Sequence, residues 1–404
     1  MAAEPPAEPV DLWLTENGTL LTTALSAAQA LRLRQQYGEH LVVQPGWEPG
    51  SFVLTARQTI GVLVLDGLRI HIAPKVPLTN LFHMLTYAYD LPFFREEEAP
   101  LAVGDDLFEF LVAIFVQQVN RLARQGIQRG YRDVEEDASY LRGRLLLGEQ
   151  LQRNAGRPAR FAQRVNDFTA DRLENRILKA TLWQLAGAPY RDADLRRRVR
   201  RTLSAFSEVS LVAVRPEECR QVVYNRLNAR YRMPINLAQL FLRHLSLEGR
   251  TGETPFMSYL LPMAGVFERF VARYLDDHFA AHPLISVLTQ ESIWLDEALR
   301  ERGRLDILLH WAGQPAMIVD TKYKTFDGTP SEADRNQMFM YCHALGVTRA
   351  MLVYADEGAA GYEARFPGMW LAARSLALDG ALADFRRRCQ DFAQEVMARV
   401  TAGP

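Results

Sequence analysis

Two short apolar runs, each flanked by an aspartate, constrain this sequence more than any other feature. In the stretch GRLDILLHWAGQPAMIVDTKYKTF, residues 303–326, Asp306 precedes the run ILL and Asp320 follows the run MIV. The residues AGQP lie between the runs, and two apolar runs joined by a short Gly/Pro segment predict a pair of buried strands. The sequence therefore predicts two carboxylates on adjacent strands of one sheet.

The residues after Asp320 indicate what such a pair would do. Lys322 lies two positions further on, so its side chain is on the same face of the strand as that of Asp320. Two aspartates suit a hard cation such as Mg²⁺, with Mn²⁺ as a substitute, and the Thr321 carbonyl is a further candidate ligand. An ammonium beside a metal-bound water stabilises charge on a phosphate, which predicts phosphodiester hydrolysis. Taken alone, Asp-x-Lys fits a surface ion pair equally well.

Two predicted helices add residues to this constellation. The segment PMAGVFERFVARYLDDHF carries Glu268, and ADRNQMFMYCHAL carries Asp334, Gln337 and Tyr341. The spacing of four places Gln337 and Tyr341 on one helical face. The alternative for these residues is an ordinary packed helix with a solvated glutamine.

Composition limits the class of protein. At 404 residues the chain predicts two or three domains, and a net charge of −1 argues against a general polyanion binder. Three scattered cysteines without a CxxC pair argue against a disulfide framework and a structural zinc site. The N-terminus MAAEPPAEPV does not read as a signal peptide, and no run of about 20 apolar residues is present. We therefore expect a cytoplasmic protein without membrane contact.

Pattern changes along the chain predict an α/β multidomain protein with three domains. Residues 1–100 form a β-rich domain, in which Asp66-Gly67 between GVLVL and LRIHI predicts a hairpin. Residues 101–253 show helical periodicity and predict a bundle. Residues 254–404 alternate helices and strands, which predicts an α/β domain with a mixed sheet.

Several segments in the same order resemble one known family. RLDILL, MIVDTKYK and DRNQMFMYCHAL resemble the PD-(D/E)xK nuclease core. GLRIHIAPKVPLTNLFHMLTYAYDL, LRGRLLLGEQLQRN, DRLENRILKATL and LPMAGVFERFVARYL are similar to signatures of McrC, the nuclease subunit of McrBC modification-dependent restriction systems. The resemblance covers most of the chain from about Thr55 onward.

The resemblance implies a restriction-endonuclease-like fold for the last domain and a role for each candidate residue. Asp306 and Asp320 would bind the metal, Lys322 would be the catalytic lysine, and Glu268 would be an additional metal-binding or supporting acid. Gln337 and Tyr341 match the Q-x-x-x-Y helix that supports many such sites. The proline of the PD pair is Leu305 here, which is a small departure because that proline is not a ligand.

The resemblance also implies a magnesium-dependent endonuclease subunit that cuts double-stranded, modified DNA. Its partner would be an AAA+ hexamer similar to McrB that hydrolyses GTP or ATP, because this sequence contains no G-x-x-x-x-G-K-[ST]. About the first hundred residues would stimulate that motor, with Arg57, Arg69 and Lys75 as basic candidates. Two alternatives remain: a non-catalytic activator of the motor, and a stand-alone DNA repair nuclease.

Basic residues in the central region are candidates for DNA contact. They are the run RRRVRR at residues 196–201 together with Arg157, Arg160 and Arg164. Each phosphate contact would steepen the salt dependence of binding by about one logarithmic unit. The alternative, which the alternating charges favour, is an exposed helix face.

Overall fold

The protein is described by a computed structural model that covers residues 10–91, 107–157, 159–188, 190–248, 256–296, 298, 300–356, 358 and 361–402. The chain forms two compact units: Met1–Leu107 with Ser258–Pro404, and Phe108–Met257. Residues from the first and the last predicted domains thus belong to one unit. The predicted division at residues 100 and 253 stays a prediction, and its second boundary lies at residues 249–255, outside the described residues.

The first unit begins with strands and two helices. Their bounds are β1 Val10–Thr15, β2 Thr19–Thr22, α1 Ala27–Tyr37, β3 Leu41–Pro45, β4 Phe52–Ala56, β5 Thr59–Leu65, β6 Leu68–Ala73 and α2 Leu78–Ala88. The predicted hairpin is confirmed, because β5 and β6 pair antiparallel and Asp66 and Gly67 both have positive φ, at 47° and 74°. Positive φ at both turn residues is what a two-residue turn needs to match the strand twist.

A later strand extends the sheet of β1, β6 and β5. Strand β11, Phe256–Pro262, pairs antiparallel with β5 and places Tyr259 opposite Val62. Gly61 lies at this pairing with φ of 126°, and a Cβ atom there would be 2.0 Å from the Tyr259 carbonyl oxygen. Residues near 60 and near 260 therefore share one sheet with close backbone contact.

The rest of this unit is a six-stranded mixed sheet with helices. The strands of this sheet are β12 Ile285–Thr289, β15 Ile307–Trp311, β16 Gln314–Lys322, β17 Arg349–Tyr354, β18 Tyr362–Phe366 and β19 Met369–Ser375. Two further strands, β13 Ser292–Trp294 and β14 Arg302–Arg304, pair with each other in a separate antiparallel two-stranded sheet. The sheet order is β12-β15-β16-β17-β19-β18, with β16, β17 and β19 parallel and the other pairs antiparallel. A mixed sheet with helices confirms the predicted α/β class.

Three helices accompany this sheet. They are Met263–Phe279, Glu332–Leu345 and Leu382–Thr401, which we label α8, α9 and α10. The side chain of Ser331 caps α9 by accepting the backbone N–H of Asp334, and Gly346 ends α9 with a left-handed φ of 64°. A serine before a helix and a glycine after it are the usual end signals.

The second unit contains helices, as predicted, and also a sheet that the periodicity does not predict. The helices are α3 Leu107–Arg124, α4 Leu147–Asn154, α5 Leu173–Ala186, α6 Ala193–Ser204 and α7 Arg232–His244. Its strands are β7 Gly130–Ala138, β8 Arg144–Leu145 and β9 Phe161–Thr169, in the order β7-β9-β8, and β10 Leu245–Glu248 follows α7. Strand β7 is rich in charged residues, and the apolar residues of β9 are irregularly spaced among polar ones, so both strands lack the apolar alternation that marks a strand in sequence.

The structure also bears on membrane-spanning helices and on the state of the cysteines. Among the described helices, none has the length and apolar character needed to cross a membrane. The three cysteines, Cys219, Cys342 and Cys389, are buried free thiols.

Candidate active site

The hairpin of β15 and β16 brings the two predicted aspartates to one end of the sheet. Ile307 pairs with Val319 in this antiparallel ladder, so the next positions outward are Asp306 and Asp320. Directly opposite residues on one face of an antiparallel pair have Cβ atoms about 5 Å apart. Asp320 is only 2% exposed, whereas Asp306 is half-buried. The predicted pairing of the two carboxylates is therefore present.

Thr321 fixes the position of Asp306. Both its backbone N–H and its hydroxyl donate to Oδ2 of Asp306, each at 2.8 Å. A contact of the Thr321 carbonyl with a metal stays a prediction, whereas its donation to Asp306 is a feature that the sequence does not indicate.

Lys322 lies at the centre of a chain of hydrogen bonds. Its Nζ is 2.7 Å from Oδ2 of Asp320 and donates to Oε1 of Gln337 at 2.8 Å. The amide Nε2 of Gln337 donates to the hydroxyl of Tyr341, and that hydroxyl donates to the carbonyl oxygen of Arg304, each at 3.0 Å. Helix α9 thus anchors the ammonium of Lys322 through Gln337 and Tyr341, as their spacing suggests.

The charges of this cluster are unbalanced toward the negative. Burial and the charge of Asp306 together raise the pKa of Asp320 to about 6, because the ammonium of Lys322 offsets only part of their effect. For Lys322 itself, burial acts to lower the pKa, but the charge and hydrogen bond of Asp320, with the charges of Asp334 and Asp306, together outweigh it and the pKa is raised. Lys322 therefore remains a cation at neutral pH, and a metal ion at this point would relieve the repulsion that raises the pKa of Asp320.

Glu268 approaches the same cluster from helix α8. Burial, together with the charge of Asp306, raises the pKa of Glu268 to about 7, although Arg304 and Arg269 act in the opposite direction. Within the described part of the chain, however, no three His, Cys, Asp or Glu side chains converge closely enough to hold a metal together. Glu268 is an electrostatic neighbour of the aspartates, and its role as a metal ligand stays a prediction.

The donor set fits a magnesium ion. Mg²⁺ is commonly bound through one or two carboxylates and keeps several waters. Asp306 and Asp320 supply two carboxylates, one on each side just beyond the last β15–β16 pair, Ile307 with Val319. A cation bound between these carboxylates would relieve their mutual repulsion.

A second buried carboxylate extends the cluster beyond the main predicted residues. Asp334 is 6% exposed, and its Oδ2 accepts from the hydroxyl of Tyr354 at 2.8 Å and lies 2.7 Å from Nζ of Lys324. Burial acts to raise the pKa of Asp334, but hydrogen bonds from Lys324, Ser331 and Tyr354 outweigh it and lower the pKa. Lys324 follows Lys322 by two residues, so period-two alternation gives a signal for it, whereas Tyr354 comes from a distant strand and gives none.

Three of the basic candidates for DNA contact pair with acidic side chains. Arg160 pairs with Asp137 at 3.2 Å and Arg164 pairs with Glu135 at 2.5 Å. In the run 196–201, Arg197 pairs with Asp194 at 3.0 Å. These pairs agree with the interpretation of an ordinary charged surface.

The three basic candidates for motor contact lie in different settings. Arg69 is 3.5 Å from Asp11, and Nζ of Lys75 lies 5.5 Å from the ring centre of Tyr323. Arg57 lines a cavity of about 590 Å³ together with His40 and other residues. None of these settings identifies a residue that acts on a nucleotide.

Comparison with known proteins gives one family match. The model of the McrBC 5-methylcytosine restriction system component family matches residues 54–355. The "Type IV methyl-directed restriction enzyme EcoKMcrBC" of Escherichia coli (strain K12) is 22% identical over 262 residues, which are 62% of this chain and 74% of that protein.

Two solved assemblies from Thermococcus gammatolerans are similar in structure. A chain of the half-complex of "McrB AAA+ hexamers with bound McrC" matches with a TM-score of 0.60 and 18% identity, over 96% of this chain and 100% of that chain. A chain of the "McrBC complex" matches with a TM-score of 0.46 and 21% identity, over 66% of this chain and 87% of that chain. The first likeness shows a shared fold, and the family match over residues 54–355 shows that this chain belongs to the McrBC 5-methylcytosine restriction system component family.

Proposed function

We propose that this chain is the magnesium-dependent endonuclease subunit of a McrBC-like restriction complex and that it cuts the phosphodiester backbone of methylated foreign DNA. The observation that carries the proposal is the contact of Lys322 with Asp320, beside Asp306 and held by Gln337. Two carboxylates and a fixed ammonium at the end of adjacent strands are the functional groups of a PD-(D/E)xK nuclease core. The family match supplies the restriction context.

Each residue has a distinct part in this proposal. Asp306, oriented by Thr321, and Asp320 would hold the ion. When bound, a magnesium ion polarises the phosphate and lowers the pKa of a coordinated water. Lys322 stays charged and stabilises the negative charge that develops on the phosphate, rather than acting as a neutral base.

A motor partner belongs to the proposal because this chain has no nucleotide-binding loop of its own. None of its lysines follows a glycine, as the P-loop sequence requires. A structure with the same fold comes from an assembly of McrB AAA+ hexamers with bound McrC. We therefore propose a McrB-like AAA+ partner that uses GTP or ATP.

Cleavage of methylated and unmethylated plasmid by the full chain tests this function. The reactions contain magnesium, with and without the candidate motor subunit and nucleotide, and compare wild type with Asp320→Ala. Asp276→Ala is the matched control, because Asp276 is an exposed acid that pairs with Arg273 on helix α8. Nucleotide hydrolysis by the motor is measured in parallel as evidence that each variant is folded and assembled.

The outcomes separate three functions. Cutting that needs the partner and is lost in Asp320→Ala, while hydrolysis stays stimulated, supports the nuclease subunit. Cutting by the wild type alone would instead indicate a stand-alone nuclease. Stimulated hydrolysis without any cutting would indicate a non-catalytic activator, for which the intact Asp306, Asp320 and Lys322 give no reason.

A further inference from the structure

Lysine is rare in this chain, and its few positions are not scattered. Only four of the 47 basic residues are lysines: Lys75, Lys179, Lys322 and Lys324. Lys322 is the last residue of β16, Lys324 lies two residues beyond it, and Lys75 lies over the ring of Tyr323, the residue between these two lysines. Lys179 lies in the second unit, where it donates to a backbone carbonyl. A compact ammonium and a planar guanidinium are not interchangeable, so this concentration of lysine in an arginine-rich chain indicates a chemical requirement at one strand end.

Lys324 is held on one side and open on the other. Its Nζ is 2.7 Å from Asp334 and 5.9 Å from the ring centre of Tyr354, yet 43% of its side chain is exposed. Asp334 is itself buried and fixed by the hydroxyl of Tyr354. An ammonium has three N–H donors, and one contact with Asp334 leaves donors for a ligand that arrives from solvent.

The same aspartate links Lys324 to the catalytic cluster. Oδ1 of Asp334 lies 3.8 Å from Nζ of Lys322, while Oδ2 contacts Lys324. Asp334 therefore lies between two ammonium groups, one inside the cluster and one at its edge. If the scissile phosphate of a DNA strand contacts Lys322, a neighbouring phosphate of that DNA strand would lie close to the ammonium of Lys324.

We propose that Lys324 binds a DNA phosphate that neighbours the scissile one, and that Asp334 is its positioning residue. This inference rests on the proposed nuclease function and adds a substrate contact to it. The contact is to the backbone and not to a base, so it strengthens binding equally for all sequences.

The salt dependence of DNA binding tests this contact. The affinity of the full chain for a labelled DNA duplex is measured between about 50 and 200 mM salt, with Ca²⁺ in place of Mg²⁺ to prevent cutting. Lys324→Gln should weaken binding by about ten-fold near 0.1 M salt and reduce the log–log slope by about one. Lys324→Arg should keep the slope because it keeps the charge. Arg387→Gln, which removes an exposed arginine paired with Asp384 on α10, should leave the slope unchanged.

Three results would overturn the proposal. The first is a Lys324→Gln slope and affinity equal to those of wild type. The second is slower cleavage in the assembled complex with an unchanged slope, which would mean that Lys324 only supports Asp334. If the wild type neither binds DNA nor cuts it with the motor present, the nuclease function fails and this contact fails with it. If the wild type binds and cuts DNA and Lys324→Gln behaves in the same way, only the Lys324 contact is rejected and the nuclease function stands.

Discussion

Asp320 and Glu268 hold their protons more tightly than exposed carboxyls do, because burial and like charge both disfavour their ionised forms. Glu268 is the clearest case, since two arginines offset only part of this effect. Its ionisation therefore costs folding free energy as long as no cation is bound. Under the proposed function, binding of a magnesium ion would relieve this repulsion.

Replacing Glu268 with glutamine should stabilise the metal-free protein at alkaline pH. The folded-state pKa of Glu268 is about 7 and its ordinary value is 4.5, so the cost is complete above pH 7 and disappears as the pH falls toward 4.5. Glu268→Gln should raise the free energy of unfolding by on the order of 1 kcal/mol at pH 8, with little gain at pH 5. Denaturant unfolding in the presence of a chelator at both pH values measures this, with Asp276→Asn as the control for charge removal on α8. An equal gain at both pH values would contradict the assignment.

Elements with strong local signals are the ones that the sequence predicts best. The turn at Asp66-Gly67 follows from local residue preferences, and so do the two ends of helix α9 at Ser331 and Gly346. Strands β7 and β9 do not, because the charged residues of β7 and the irregular spacing of apolar residues in β9 leave no alternation on which strand prediction could depend. The same contrast holds in the site: the adjacent strands predict Asp306, Asp320 and Lys322, whereas Tyr354 depends on a contact 20 residues away from Asp334.

The end of helix α9 offers a test at this scale. Gly346 has φ of 64°, and a Cβ atom there would meet nothing within 4 Å, so alanine would be disfavoured by backbone conformation alone. Gly346→Ala should lower the free energy of unfolding by about 1–2 kcal/mol. Gly187, which ends α5 with φ of −90°, is the matched position, and Gly187→Ala should cost much less. Thermal denaturation of both variants compares them, and equal losses would rule out the left-handed conformation at Gly346.

Across the whole molecule, the unit that contains the candidate site is built from both ends of the sequence. Strand β5 pairs with β11, the hydroxyl of Tyr323 donates to buried Glu16 at 3.1 Å, and Asn80 donates to the carbonyl oxygens of residues 378–380. Contacts of this kind join residues about 200 to 300 positions apart. Periodicity and turn signals are local, so they predict the elements of such a unit but not this association.

The fragment 254–404, which matches the predicted nuclease domain, should therefore not fold alone. Without residues 1–107, β11 lacks its partner strand and Tyr323 lacks Glu16. Co-expression of residues 1–107 with 254–404 should recover soluble, folded protein that purifies as a complex. Circular dichroism and co-purification through a tag on one fragment measure this, and a well-folded 254–404 fragment alone would contradict it.

The pairing of β5 with β11 also has a consequence during synthesis. Strand β5 leaves the ribosome about 200 residues before β11 does, and at about 5–20 residues per second this delay is roughly 10–40 s. During that interval one edge of β5 has unpaired N–H and C=O groups, which are a template for pairing with other chains. The translation rate over the intervening residues would thus affect how much of the newly made chain aggregates before its own strand arrives.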